Sequence, residues 1–264
     1  MNKLDIKGVV QGFLKGKERF KVISEGLNRP VVTPLTRQLL ILDSSFNPPH
    51  LGHLSMIRQA IMKVGTIQEN YTAVSSINTK SVLLLFSVNN ADKGTAETEE
   101  YVRRLHMVEL MSEYISTELG VACCVALTNA SLFVDKSDLI NGWLRQRRTS
   151  MEVETYFLLG FDTLIRLLDA KYYDGNINEV LARFFKSSRI VVFLRNDPSC
   201  RMAVAKQVQF LHDLTIDDNW KQRIVQLESP KEWGISSSAI RANPSLLDTG
   251  NVVIPSIRDF LKRK

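Results

Sequence analysis

Six short apolar runs, each nearly unbroken, constrain this chain more than any other feature. They are "QLLILD" (38–43), "SVLLLFSV" (81–88), "VACCVALT" (121–128), "ETYFLLG" (154–160), "RIVVFLR" (189–195) and "RIVQLE" (223–228). A strand with one wet face alternates apolar and polar residues; these do not, so each is expected to be covered on both faces. Helical patterns separate them: "HLSMIRQAIMKV", "AETEEYVRRLHMVELMSEYI", "SDLINGWLRQRR", "DTLIRLLDA" and a weaker one from Met202 to Asp213. Strand and helix in alternation require parallel strands joined by right-handed crossovers. The expected fold is therefore α/β, a doubly wound parallel sheet whose ligand crevice lies outside the carboxyl ends of the strands.

A chain of 264 residues with 44% hydrophobic content can bury the core of one large domain. Residues 1–37 read as an N-terminal extension, and residues 38–264 as the domain proper. In the extension "FLKGKERFKVI" suits an amphipathic helix and "RPVVTP" a proline-punctuated linker. The helix is expected to pack on the domain, with docking of a partner protein as its second reading. The net charge of +6 favours an anionic ligand but is spread too evenly for a nucleic-acid footprint. Cys123, Cys124 and Cys200 have no metal spacing, and neighbouring cysteines bridge only under strain. Free thiols and the lack of a run of about 20 apolar residues predict a cytoplasmic or nuclear protein with no membrane segment.

The residues that follow the strands should converge on one crevice. After the first run comes "SSFNPPHLGH", which places His50 and His53 at the mouth of a helix, where N–H groups and the helix dipole favour an anion. Pro48 and Pro49 restrict the turn, and Gly52 allows close backbone approach. Either histidine alone reads as a turn cap; the pair reads as a phosphate site. Near the other end "ISSSAIR" (235–241) begins a helix, with Ser236, Ser237 or Ser238 as its cap and Arg241 one turn in. Hydroxyls, amides and a guanidinium aimed at one point suit a polyphosphate.

With both motifs in place, the chain resembles the nicotinamide mononucleotide (NMN) adenylyltransferases of the HxGH nucleotidyltransferase superfamily, most closely the fungal members. The likeness rests on Ser44 to His53 and Ile235 to Arg241, and runs through "SVNNADKG", "RRLHMVEL", "LLGFDTL" and "RND". It implies a Rossmann-like nucleotidyltransferase fold. It further implies magnesium-dependent transfer of the adenylyl group of ATP to NMN, or to nicotinic acid mononucleotide, yielding the dinucleotide and pyrophosphate. The magnesium would be held mainly by ATP phosphates and water, since no carboxylate cluster stands out.

By the same resemblance His53 meets the α-phosphate, His50 the triphosphate, and Ser45 and Phe46 the dinucleotide. Ser237, Ser238 and Arg241 hold the β- and γ-phosphates, with Lys93 as a further contact. Gly160 and Asp162 match a G-x-D element whose carboxylate takes the ribose hydroxyls; a helix N-cap is the alternative for Asp162. Arg195 is expected on a phosphate or on the pyridine side. The chain departs from the pattern in two places. Ser44 stands where relatives have glycine, and Tyr173, beside Tyr172, stands where they stack a tryptophan on the nicotinamide. Trp143 is read as core or as a replacement aromatic, Trp220 and Trp233 as core, and Thr98 to Glu100 as a solvated face. The competing readings are a nucleotidyltransferase with another acceptor, and a nucleotide-binding regulatory protein with weak ATPase activity. A class I tRNA synthetase is excluded by length and by the missing lysines in "ISSSAIR".

Overall fold

The computed structural model describes residues 5–25, 30–64, 79–88, 98–147, 152–173, 176–195, 202–228, 234–249 and 251–263. In chain order these form α1 (Ile6–Lys15), β1 (Phe20–Glu25), β2 (Gln38–Ser44), α2 (Leu51–Lys63), β3 (Lys80–Ser87), α3 (Thr98–Glu118) and β4 (Ala122–Thr128). There follow α4 (Phe133–Gln146), β5 (Glu154–Gly160), α5 (Phe161–Leu167), α6 (Ile177–Ser187), β6 (Ser188–Phe193), α7 (Val204–His212), α8 (Asp218–Lys221), β7 (Ile224–Leu227), α9 (Ser237–Ala242) and α10 (Pro255–Lys262). All six apolar runs are strands.

The strands form one seven-stranded sheet in the order β1-β4-β3-β2-β5-β6-β7. Every neighbouring pair is parallel except β1 with β4. From β2 the chain steps outward through β3 to β4, then returns to the other side of β2 to lay down β5, β6 and β7. Leu40 accordingly faces Val82 on one side and Tyr156 on the other. The connections leave β2 and β5 in opposite directions, and a crevice opens between their carboxyl ends.

Burial on both faces splits each strand's side chains between two cores. Leu40 and Leu42 join the core capped by α1, α2, α3 and α10. Leu39 and Ile41 join the one covered by α4, α5 and α6. The same alternation sends Cys123 to one core and Cys124 to the other, so neighbours in sequence face away from each other. Both thiols are free, and burial pushes their pKa values up, that of Cys123 to about 12. No helix among the described residues is long and apolar enough to cross a membrane.

The N-terminal segment corrects two expectations. The helix lies at Ile6–Lys15, earlier than "FLKGKERFKVI", capped by Asp5 accepting from Gly8 N–H at 2.9 Å and ending at Gly16. Phe20–Glu25 is instead a strand, paired antiparallel with β4 as Phe20↔Thr128 through Glu25↔Cys124. The segment is thus built into the sheet, which is mixed rather than wholly parallel. Helix α1 packs on α3 and contributes Ile6, Val10 and Phe13 to the first core, Phe13 being 2% exposed. Truncating a buried phenylalanine costs about 3–5 kcal/mol. Phe13→Ala should lower the urea unfolding free energy by that amount, and a loss below about 0.5 kcal/mol would show that α1 is peripheral.

Candidate active site

The chain leaves β2 at Ser44 and reaches α2 through a turn set by Phe46, which adopts φ +43°, and a cis Asn47–Pro48 peptide. A bulky residue at positive φ costs about 1–3 kcal/mol and persists only where surroundings over-determine it. Here the Phe46 ring is wholly buried, with its centroid 5.2 Å from that of His53. His50 is the N-cap of α2 and His53 lies in its first turn.

The two imidazole centroids are 3.8 Å apart. His53 is 8% exposed; its Nδ1 accepts from the His50 backbone N–H at 3.1 Å, and its Nε2 lies 3.1 Å from Ser44 Oγ. A backbone amide can only donate, so Nδ1 carries no proton, and the neutral ring bears its hydrogen on Nε2. Burial lowers the His53 pKa to about 4. His50 is also pushed well below its ordinary value, by burial and then by His53. Its Nδ1 is buried without a partner among the described residues, a polar atom held out of the protein's own network beside the crevice.

The crevice encloses about 260 Å³. One wall is Ser44, His50, Gly52, His53 and Met56; the facing wall is Gly160, Asp162, Thr163, Arg166 and Arg195; Ile235, Ser236 and Ser237 close the third side. Gly160 caps α5 and Asp162 sits in its first turn, so Asp162 is not the N-cap. Its Oδ2 instead accepts from Arg195 Nη1 at 2.5 Å. Arg195 is held by its backbone: its N–H donates to Gln207 Oε1 at 2.9 Å, and its carbonyl accepts from Gln207 Nε2 at 2.6 Å. Gln207 is fully buried on α7.

Helix α9 is capped by Ser236, which accepts from Ala239 N–H at 3.1 Å. It clamps the β2–α2 turn. Ser237 Oγ donates to the Pro48 carbonyl at 2.9 Å across 189 residues of sequence, and Arg241 Nη1 donates to the Asn47 carbonyl. Arg241 Nη2 donates to Ser238 Oγ at 3.2 Å. Arg241 lines not the crevice but a second cavity of about 540 Å³ behind the turn, with Glu100, Arg103 and Arg104. Glu100 is exposed, as expected of a solvated face, and from there accepts from Asn47 Nδ2 at 3.1 Å and pairs with Arg104.

His50, His53, Gly160, Asp162, Arg195 and Ser237 are therefore brought to one crevice. Ser45, Phe46, Ser238 and Arg241 stand around it without lining it. Tyr172 and Tyr173 also do not line it: Tyr173 is buried, its hydroxyl donates to the Leu167 carbonyl at 2.7 Å, and burial raises its pKa to about 12. The side chain expected to stack on a pyridine ring is thus committed to the fold. Trp143 packs edge-on against Phe20 at 6.0 Å with Arg147 over its face, and Trp220 stacks on Phe185. Lys93, Trp233 and Cys200 lie outside the described residues.

Sequence reasoning passed over Arg166, Thr163, Gln207 and, most consequentially, Asp43. Asp43 lines the crevice at the end of β2. Its Oδ2 meets Lys136 Nζ at 2.5 Å and its Oδ1 accepts from Ser87 at 2.7 Å, with both charged side chains under a tenth exposed. A lone carboxylate ending an apolar strand was the available signal, because a buried charge demands a partner. Both crevice carboxylates are thus engaged by cations, and among the described residues no group of three or more His, Cys, Asp or Glu could hold a metal ion.

Residues 41–243 match the cytidylyltransferase-like family. The chain is 31% identical over 230 residues to a putative nicotinamide mononucleotide adenylyltransferase of Schizosaccharomyces pombe, covering 83% of this chain and 81% of that one. Two solved structures of Plasmodium falciparum nicotinic acid mononucleotide adenylyltransferase align at lower similarity. The complex with NaAD does so at TM-score 0.46 and 16% identity, the complex with APC at 0.45 and 15%, each covering 85% of this chain and 94% of the other. The fold itself rests on the strand order described above. Matched from the end of β2 to the end of α9, the span that holds the histidine turn, the crevice and the clamp, the chain belongs to the cytidylyltransferase-like family of nucleotidyltransferases.

Proposed function

We propose that this protein transfers the adenylyl group of ATP to the 5′-phosphate of nicotinamide mononucleotide, and accepts the nicotinic acid mononucleotide as well, releasing pyrophosphate. The observation that carries the reading is the neutral His50–His53 pair at the start of α2, facing Asp162 and Arg195 across the crevice where the strand order reverses. The S. pombe relative's name points to the same acceptor class.

In-line attack of one phosphate oxygen on the α-phosphorus needs positioned donors more than a protein nucleophile. The histidine turn supplies neutral hydrogen-bonding groups without fixed charge, so product is not trapped by a strong ion pair. The N-terminus of α2 adds N–H groups and dipole. Asp162 offers a carboxylate to ribose hydroxyls from a position already set by Arg195. Magnesium fits this site as an ion held by nucleotide phosphates and water, where it would neutralise charge on the leaving pyrophosphate; Asp43 and Asp162 have cations of their own. The clamp from Ser237 and Arg241 holds the turn on which both histidines ride.

Purified protein given ATP, magnesium and either mononucleotide should form the dinucleotide and pyrophosphate in equal amounts; ATP hydrolysis alone would favour the regulatory reading instead. That second reading has one observation on its side, the distance of Tyr172 and Tyr173 from the crevice. His53→Ala should lower turnover by about 10- to 100-fold, as for loss of transition-state stabilisation, with an unchanged circular dichroism spectrum. Near-normal turnover would remove His53 from the chemistry.

The depressed histidines also set a pH dependence. The denatured chain binds a proton at each histidine below about pH 6.5, whereas folded His53 does so only near pH 4. Stability is thus fully present above pH 6.5 and lost as pH falls toward 4, by about 3 kcal/mol from His53 alone. Unfolding free energies of wild type and His53→Gln, measured from pH 7 to 4, should converge as the pH falls; parallel curves would show that His53 titrates normally.

A further inference from the structure

We propose that Ser44 makes the direct contact with the reacting phosphate: its hydroxyl donates into the crevice, and His53, which lines the same wall and is hydrogen-bonded to it, acts through it. The inference rests on the adenylyl-transfer reading and adds a residue to it, at the position where the family resemblance expects glycine.

The assignment follows from counting protons and lone pairs. His53 Nδ1 is filled by the His50 N–H at 3.1 Å, so the neutral ring's hydrogen lies on Nε2 and points at Ser44 Oγ, 3.1 Å away. Ser44 Oγ also accepts from the Phe46 backbone N–H at 3.4 Å. A serine oxygen has two lone pairs and one hydrogen. With both acceptor positions facing protein donors, the hydroxyl hydrogen is what remains, and it has no acceptor among the described residues. Ser44 lines the crevice together with His50, Gly52 and His53. The remaining hydrogen therefore points where a phosphate oxygen would sit.

The direction of the bond matters. A serine nucleophile needs a histidine lone pair to take its proton. Here Nε2 presents a proton, so His53 cannot serve as base toward Ser44, and Ser44 is a donor, not a nucleophile. Two donors polarising one hydroxyl oxygen strengthen the bond it makes in turn. The Phe46 conformation at φ +43° serves the same end, turning its N–H back onto Ser44 while burying the ring beneath His53.

The test is a double-mutant cycle of Ser44→Ala, His53→Ala and the pair, in the full chain, read both as turnover and as affinity for the unreactive analogue α,β-methylene-ATP. Loss of a hydrogen bond to a charged oxygen predicts that Ser44→Ala weakens turnover by about 10- to 100-fold. His53→Ala should then cost less than about twofold more in the Ser44→Ala background. Multiplicative losses, or a Ser44→Ala enzyme within twofold of wild type, would mean that His53 reaches the phosphate itself, and the inference fails. If wild-type protein makes no dinucleotide, the functional reading fails separately. The same cycle in analogue affinity then decides Ser44, non-additive losses supporting it and independent ones overturning it. An ¹⁵N imidazole spectrum of the free protein should show the Nε2–H tautomer of His53; the Nδ1–H tautomer would refute the premise.

Discussion

Strand β2 is hydrogen-bonded on both edges and covered on both faces, so the chain can leave it only at its carboxyl end. Everything chemical in the molecule follows from that exit. The backbone emerging at Ser44 has β3 on one side and β5 on the other, whose following segments diverge. The turn must satisfy its own polar groups at the mouth of the crevice this creates. It does so locally, through His50 N–H on His53 and Phe46 N–H on Ser44, and remotely, through the Pro48 and Asn47 carbonyls that accept from α9.

The site is therefore assembled from bonds that serve the fold and the chemistry together. The amide that caps His53 Nδ1 sets the tautomer, and burial under Phe46 and beside His50 keeps the ring neutral. The facing wall follows the same logic. Gln207 grips the Arg195 backbone in both directions, Arg195 orients Asp162, and Asp162 is presented from the first turn of α5. At the end of β2, Asp43 and Lys136 neutralise each other at low exposure. Removing either alone would leave an uncompensated charge at the crevice floor.

The sheet was legible because burial on two faces writes itself as unbroken apolar runs, and all six read that way were strands. Phe20–Glu25 escaped because an edge strand is half-covered: "FKVISE" mixes charge with apolar residues and shows neither a full run nor clean alternation. Its pairing with β4 depends on more than a hundred residues still to come in the chain. Asp162 resembled an N-cap in sequence, yet α5 begins one residue earlier, at Phe161, and the carboxylate turns to Arg195 instead. Tyr173 suited a stacking role by its spacing, but its hydroxyl is drawn inward to the Leu167 carbonyl, a contact no linear pattern records.

By itself the sequence determined the α/β alternation, the histidine turn at the end of the first parallel strand, and the partner motif at "ISSSAIR". Those features are local: periodicity, turn chemistry and helix caps act within a few residues. The tertiary structure alone decided which strands are neighbours, and hence where the crevice opens. It also decided that Arg241 clamps the turn from behind, that Asp43 is paired with Lys136, and that Ser44 is hydrogen-bonded to His53 in the crevice wall. Those outcomes depend on burial and on hydrogen-bond partners distant in sequence, and neither exists until the sheet has closed around β2.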